Sequence, residues 1–443
     1  MSLDRTKVWL TAWVVILLMG TPAMSQGVRD MALFAPPDLS TYGGGVRPRE
    51  GLFFTFDWLW WGINAPQPTS IGNPSLGPVT VWIAPFLSFD EVNSADTSFM
   101  QYQFTEGTRF EFGSILEHHG WFFSAFRLQP QEQTLIVREA HVLFQDTINT
   151  GSIGFLQGYV DDNQAFLVNG QPPRLPTIFN YLKAHNRIEP WGVELNYLHR
   201  THPGHHGFQF ELFAGARYLA FDESFRVKGL DAPPAPPRLG TGTTTPPVPT
   251  PPAAGVPTTG GDDNTGGDGY DVIGRPNGVP LAPLPPPINI LADSYWNTSV
   301  DNRIVGPQVG SRIFYQRGRW CFSTEGRFFA GFNSQSFRQD GLLASKAVPP
   351  GGTGRPLLME PYTFTHWAHF SEFSPGAELR VEASIHLTRA ISIGAGWTGL
   401  YLANIGRAAS VINYQVPVMG FDFSNRNQDV FINGLNIKLI INR

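Results

Sequence analysis

The chain has 443 residues, 15% charged and 13% aromatic, with 47 glycines, 34 phenylalanines and a formal net charge of −5. That length suits two soluble domains or one large barrel. The acidic balance argues against the basic surface of a nucleic-acid-binding protein, and the single cysteine, Cys321, excludes an internal disulfide.

At the N-terminus, Arg5 and Lys7 precede an apolar run from Trp9 to Met19, followed by Gly20, Pro22 and Ala23-Met24-Ser25. This is the pattern of a Sec-type signal peptide, with cleavage expected after Ser25. The run is shorter than the roughly 20 residues that a membrane-spanning helix needs, and no later segment is apolar for that length. No cysteine follows the cleavage site, which argues against a lipid anchor. Residues 26–50, rich in Pro and Gly, read as a periplasmic lead-in, and 51–443 as the folded body.

Side chains with a period of two mark strands. The first candidate begins at Gly51, with Leu52, Phe54, Phe56, Trp58 and Trp60 on one face and the run ending in Trp60-Trp61. Thr108–Glu117, Trp121–Gln129, Gln133–Phe144 and Gly151–Val160 follow, then Trp191–His199 and Gly207–Val227. The second half adds Asp293–Gln316, Arg319–Phe332, Ala377–Leu387, Ile391–Ala403 and Val430–Ile441. Ala377–Leu387 alternates without a break: Ala377, Leu379, Val381, Ala383, Ile385 and Leu387 oppose Glu378, Arg380, Glu382, Ser384 and His386. The expected fold is all-β, a closed antiparallel transmembrane barrel of about 12 strands.

From His199 onward, short connections (Thr201–His206, Gln316–Gly318, Thr388–Ala390) alternate with long ones (229–289, 333–374, 404–428). Outer-membrane barrels have this asymmetry, with short periplasmic turns, long external loops and an even strand count. Segment 229–289 is rich in Pro, Thr and Gly and cannot build a core, so it reads as a disordered external loop inserted in the barrel. A linker between two soluble sheets is the alternative.

In a membrane barrel the apolar face meets lipid and the polar face lines the lumen, whereas a soluble barrel reverses this. Trp58, Trp60, Trp61, Trp191, Tyr218, Trp397 and Tyr401 lie near strand ends and are expected at the lipid interface. Arg109, Glu111, Glu211, Arg217, Arg319, Glu325, Arg327, Glu378, Arg380 and Glu382 mix both signs on the polar faces. They are expected to face the lumen in cross-strand ion pairs.

Three segments, Phe56–Trp61 (Phe-Asp-Trp-Leu-Trp-Trp), Glu211–Phe225 (Glu-Leu-Phe-Ala-Gly-Ala-Arg-Tyr-Leu-Ala-Phe-Asp-Glu-Ser-Phe) and Asn302–Gly310 (Asn-Arg-Ile-Val-Gly-Pro-Gln-Val-Gly), carry a family likeness. Through them the chain resembles the putative beta-barrel porin family 7 across most of 51–441. The resemblance implies a bacterial outer-membrane barrel with a porin-like role and no catalytic residues. One departure stands out: such barrels commonly end in an aromatic residue read by the insertion machinery, and this chain ends Leu439-Ile440-Ile441-Asn442-Arg443.

Three histidine groups could offer imidazole ligands to a metal: His118-His119, His199 with His202, His205 and His206, and His366 with His369. The second group surrounds Pro203-Gly204 and reads equally as a polar hairpin tip, with no cysteine or acid to complete a site. Asp262-Asp263-Asn264 with Gly266-Gly267-Asp268 imitates a calcium loop, but the position of the bidentate acid is Ile273. No nucleophile elbow, phosphate loop, zinc-protease helix or dinucleotide fingerprint occurs, and Glu378 with Glu382 reads as lumen charge. The expectation is therefore an exported outer-membrane protein with no enzymatic activity, cofactor or metal. Its partners would be outer-membrane lipid, the barrel-insertion machinery and small polar solutes diffusing passively. A structural role in the envelope accompanies that reading. An adhesin displaying 229–289 and a secreted soluble β-protein are the alternatives.

Overall fold

The computed structural model describes residues 51–73, 79–83, 87–91, 93–146, 174–201, 208–230, 291, 293–343, 362–416 and 418–442. The signal segment, the lead-in and Gly151–Val160 lie outside the described residues.

The strands in chain order are β1 (Gly51–Ile63), β2 (Val79–Ile83), β3 (Leu87–Glu91), β4 (Gln103–Leu116), β5 (His119–Leu128), β6 (Gln131–Asp146) and β7 (Arg174–Arg200). They continue with β8 (Phe208–Leu230), β9 (Tyr295–Arg317), β10 (Trp320–Leu343), β11 (Tyr362–His386), β12 (Ile391–Gly406), β13 (Gln415–Val416) and β14 (Asn427–Asn442). Among them, ten close a barrel in the order β7-β5-β4-β1-β14-β12-β11-β10-β9-β8, with β8 pairing back onto β7. Every neighbouring pair in the wall is antiparallel. In the part where all ten strands pair, closure leaves no unpaired strand edge, which hydrocarbon requires; farther out, Tyr362–Pro375 of β11 pairs with β10 alone.

The count of about twelve is corrected to ten. β5 and β6 pair with successive parts of β7, Arg127 opposite Trp191 and then Gln131 opposite Ile188. They form one line interrupted at Gln129-Pro130, because Pro130 has no N–H to donate to the ladder. β6 is thus an extension of a barrel strand and not a further wall. The strands also run beyond their expected ends. β10 and β11 extend to Leu343 and from Tyr362, so most of 333–374 is sheet, and β8 reaches Leu230, inside the expected loop.

Even parity survives, and Phe53 pairs with Asn442, so both ends of the barrel sequence lie at the short-turn end. There, Gly318 takes φ +60° in the tight turn between β9 and β10, a conformation glycine adopts without steric cost.

The outer wall changes character along its height. On β7, Trp191, Val193, Leu195 and Tyr197 face outward, but farther from the short turns the outward positions become Glu189, Arg187, His185 and Lys183. β8 passes from Leu212, Ala214, Ala216 and Tyr218 to Asp222, Ser224, Arg226 and Lys228. β10 likewise passes from Phe328 and Phe332 to Ser334, Ser336 and Arg338. A tilted membrane strand needs about 9–11 residues, and the outward apolar runs on β8 and β10 meet that need.

The interior inverts at the same level. Beyond the apolar band the inside holds Phe179, Leu182, Phe225, Val227, Trp296, Val300 and Phe337, packed around loop residues Ala408, Val411, Ile412 and Tyr414. The barrel therefore has two storeys. The lower is polar within and apolar without, as lipid demands; the upper is apolar within and polar without, as water demands.

The expected external loop 404–428 is also corrected in part. Its first half turns into the barrel, where Arg407 is fully buried. Arg407 Nε donates to Glu223 Oε2 at 2.7 Å, and the Ala408 amide donates to the same carboxylate at 3.2 Å.

Candidate functional site: a charge lattice filling the lumen

Alternation sends every second side chain of the lower storey inward. Asp57, Glu111, Glu194, Glu211, Glu325, Glu378 and Glu382 meet Arg109, Arg200, Arg217, Arg312, Arg327, Arg380 and Lys438, acids and bases matched one for one.

The ladder register does the matching. Asp57 stands opposite both Arg109 and Lys438, Glu194 opposite Arg217, Glu211 opposite Arg200 and Arg312, and Glu325 opposite Arg312 and Arg380. Arg109 Nε donates to Asp57 at 2.5 Å, and Arg200 Nε to Glu211 at 2.7 Å. Arg327 bonds Glu194 and Glu325, and Arg312 bonds Glu325. Opposite charges placed directly across a ladder in this way attract.

The lattice also crosses the barrel. Arg217 on β8 reaches Glu378 on β11 at 2.6 Å, although three strand steps separate them along the wall. Arg380 lies 3.7 Å from Glu111 of β4 and 3.9 Å from Glu194 of β7, and Arg312 lies 3.6 Å from Glu111. Rings close the space between: Arg312 and Arg327 lie over Phe122 and Phe213, Arg217 over Phe329, and Arg109 over Trp61. Above the lattice, Leu59, Trp61, Leu128, Phe221, Ile304, Phe329, Leu400 and Ile432 form a dry layer.

A cavity of about 20 Å³ near the short-turn end is lined by Cys321, Glu382, His386, Ser392 and Lys438; a water molecule needs roughly 10–15 Å³ of such space. A ten-strand barrel is close to the eight-strand size that side chains fill, well short of the 16 or so strands of open channels.

Of the expected lumen residues, Arg109, Glu111, Glu211, Arg217, Glu325, Arg327, Glu378, Arg380 and Glu382 join this lattice. Arg319 does not: it is exposed in the β9–β10 turn, because the turn takes it out of the alternation. Trp61 is also corrected. Adjacent residues of a strand face opposite sides, so Trp58 and Trp60 point outward while Trp61 is buried within. Trp191 and Tyr218 pack together on the outer wall with centroids 5.3 Å apart. Trp397 is half-buried on that wall, and Tyr401 donates to Asp429 at 2.7 Å.

Asp57, Glu194, Arg200, Arg312 and Lys438 complete the lattice beyond the residues chosen from sequence. Their signal was present: each stands on the polar side of its strand's alternation, two or four residues from another buried polar residue (Thr55, Asn196, Gln308 or Asn436).

Among the described residues no group of three or more potential metal ligands occurs. His199 Nδ1 is 3.4 Å from His119 Nδ1 on the outer wall, and His202, His205 and His206 lie outside the described residues. His118 Nδ1 is 3.1 Å from the Arg200 carbonyl, and His366 Nε2 2.7 Å from that of Val418. His369 sits between Ser334 and Ser336. The imitated calcium loop, 262–273, is outside the described residues.

A closed barrel with an apolar outer band and a charged interior is a transmembrane β-barrel. Residues 290–440 match the family model described as "Putative beta barrel porin-7". That span includes the Asn302–Gly310 segment of the resemblance, and the other two segments lie outside it. No curated protein matches the chain significantly. Among solved structures, the chain is similar to the outer membrane protease OmpT of Escherichia coli at 7% identity. That likeness covers 91% of this chain and 99% of the other, with a TM-score of 0.41. A FadL homologue of Pseudomonas aeruginosa gives 7% identity, 93% and 95% coverage, and a TM-score of 0.27. A mutant of the monoaromatic hydrocarbon channel TodX gives 7% identity, 94% of each chain, and 0.24. At such scores the barrel assignment rests on the strand pairing itself.

Proposed function

We propose that the protein is an outer-membrane barrel that is closed at rest and holds its upper storey, with the connected loops, at the cell surface. The observation that carries this reading is the cross-lumen lattice, in which Arg217–Glu378 and Arg380–Glu111 bridge strands far apart along the wall. Balanced charges that satisfy one another leave no excess field to draw an ion through. The role is then structural or display-like, with outer-membrane lipid and the insertion machinery as partners and no catalysis.

Porin-like passive diffusion of small polar solutes is the second reading, favoured by the family match over residues 290–440. It requires the lattice and the Arg407 segment to part. Purified protein in planar lipid bilayers separates the two: the closed barrel gives a flat current trace, and steady conductance from the wild type sinks it. Fractionation of the cell envelope tests location, since the protein should leave the outer membrane only with detergent. Deleting residues 231–289 tests display, because a surface binder would lose its partner while the barrel stays inserted.

A further inference from the structure

The upper storey carries two charge arrangements that differ in how they are compensated. At the level just beyond the apolar band, Glu189 stands directly opposite Asp222. Asp222 in turn stands opposite Asp301, and these three acids meet three arginines: Arg127 and Arg187 bind Glu189, and Arg303 binds Asp222.

Farther out the like charges are basic. Lys183 stands directly opposite Lys228, and His185 opposite Arg226, all on the outer wall. Arg138 of the neighbouring strand lies over the Tyr181 ring at 5.7 Å and extends the patch. Among the described residues no acid pairs with Lys183, Arg226 or Lys228, and the nearby Glu132 is bound to Arg187 at 3.2 Å. Like charges directly across a ladder destabilise the sheet. A chain that sets arginines against one cluster of like charges and leaves the next without a counter-charge has left room for an external anion.

Height selects the anion. His185 is six residues beyond Trp191, about 20 Å along the strand at ~3.3 Å per residue, or about 15 Å above the band once tilt is allowed for. Phospholipid headgroups occupy only about 5–7 Å outside the hydrocarbon. The patch therefore stands above that layer, where a glycolipid presents its saccharide.

We propose that Lys183, Arg226 and Lys228, with Arg138 beside them, dock the anionic saccharide core of an outer-leaflet glycolipid against the barrel wall. The identity of the partner rests on the outer-membrane reading. The binding test does not, because it is made in detergent micelles with no bilayer present.

Rough lipopolysaccharide with a phosphorylated core is titrated against the full-length protein at low salt, alongside the dephosphorylated form, phosphatidylglycerol and inorganic phosphate. The variant Lys183→Gln/Lys228→Gln should weaken binding of the phosphorylated form by about five-fold per cation removed. Arg319→Gln, which removes an exposed cation in the β9–β10 turn at the opposite end of the barrel, should leave it within about two-fold. Lys183→Arg/Lys228→Arg should retain it. Equal binding by the double glutamine variant and the wild type would overturn the proposal. So would phosphatidylglycerol or inorganic phosphate binding as tightly as the phosphorylated lipopolysaccharide. Retention of the heat-modifiable folded band in each variant excludes misfolding as the cause of a loss.

Discussion

Arg217 and Glu378 meet at 2.6 Å in the middle of the barrel, although they belong to strands three positions apart around the wall. The contact exists because the lumen is narrow enough for two long side chains to span it. Both are almost fully buried, and although Glu194 lies 4.0 Å from Arg217 and Arg380 bonds Glu378, losing either one alone unbalances the lattice by one charge.

Removing one partner should therefore cost more than removing both. Glu378→Ala leaves the Arg217 guanidinium without its cross-lumen carboxylate and should destabilise the folded barrel by about 3–5 kcal/mol. The pair replaced together, Arg217→Met with Glu378→Leu, should cost much less. Urea or heat unfolding in micelles, followed by loss of the fast-migrating folded band, measures both.

The change of outer-wall character fixes where the membrane ends. Leu379→Arg and Ile437→Arg place a charge in the apolar band and should each cost about 2–4 kcal/mol at mid-depth. Ser336→Arg, also outward but on the upper storey, should stay within about 0.5 kcal/mol. Folding into lipid vesicles across a urea series discriminates them; equal costs at Ile437 and Ser336 would disprove the boundary.

The Arg407 segment is held by one buried carboxylate. Glu223→Ala removes the acceptor for both Arg407 Nε and the Ala408 amide. With hydrogen bonds to charged groups worth about 1.5–3 kcal/mol, amide exchange across residues 407–416 should quicken by at least roughly ten-fold. β14, paired on both sides by β1 and β12, should be unaffected.

His185 makes the upper storey sensitive to acid. Burial, and then the cations Lys183, Arg226 and Arg187, hold its imidazole below the usual 6.5, against the pull of Glu132. Thr134 bonds its Nδ1 from the remaining side at 2.9 Å. The unfolded chain therefore takes up the proton first as pH falls below 6.5, and stability is lost between that value and the lower folded one. Amide exchange in β7 at pH 7.5 and pH 5 should show the loss, and His185→Gln should abolish the difference. Binding of the phosphorylated lipopolysaccharide should move the opposite way, tightening in acid as the patch gains a charge.

The alternation of Ala377–Leu387 determined by itself which residues share a face. It also fixed that Leu379 and Val381 lie opposite Glu378 and Arg380 in any sheet the segment joins. Even the ion pairs were legible as a mixture of signs on the polar faces. A period of two has no outside, however. Trp61 was misplaced because the adjacent Trp60 obeys the same pattern with the other sense, and Arg319 because a turn ends the alternation one residue before it resumes.

Only closure of the ten strands decided that Glu378 faces inward, and that Arg217, more than 150 residues away in sequence, would meet it there. Only the lengths of the finished strands put Lys183 opposite Lys228 above the membrane. Local periodicity reports the pleat of one strand. Which surface meets lipid, which meets water and which meets the far wall depends on pairings between distant segments, and those are properties of the closed sheet alone.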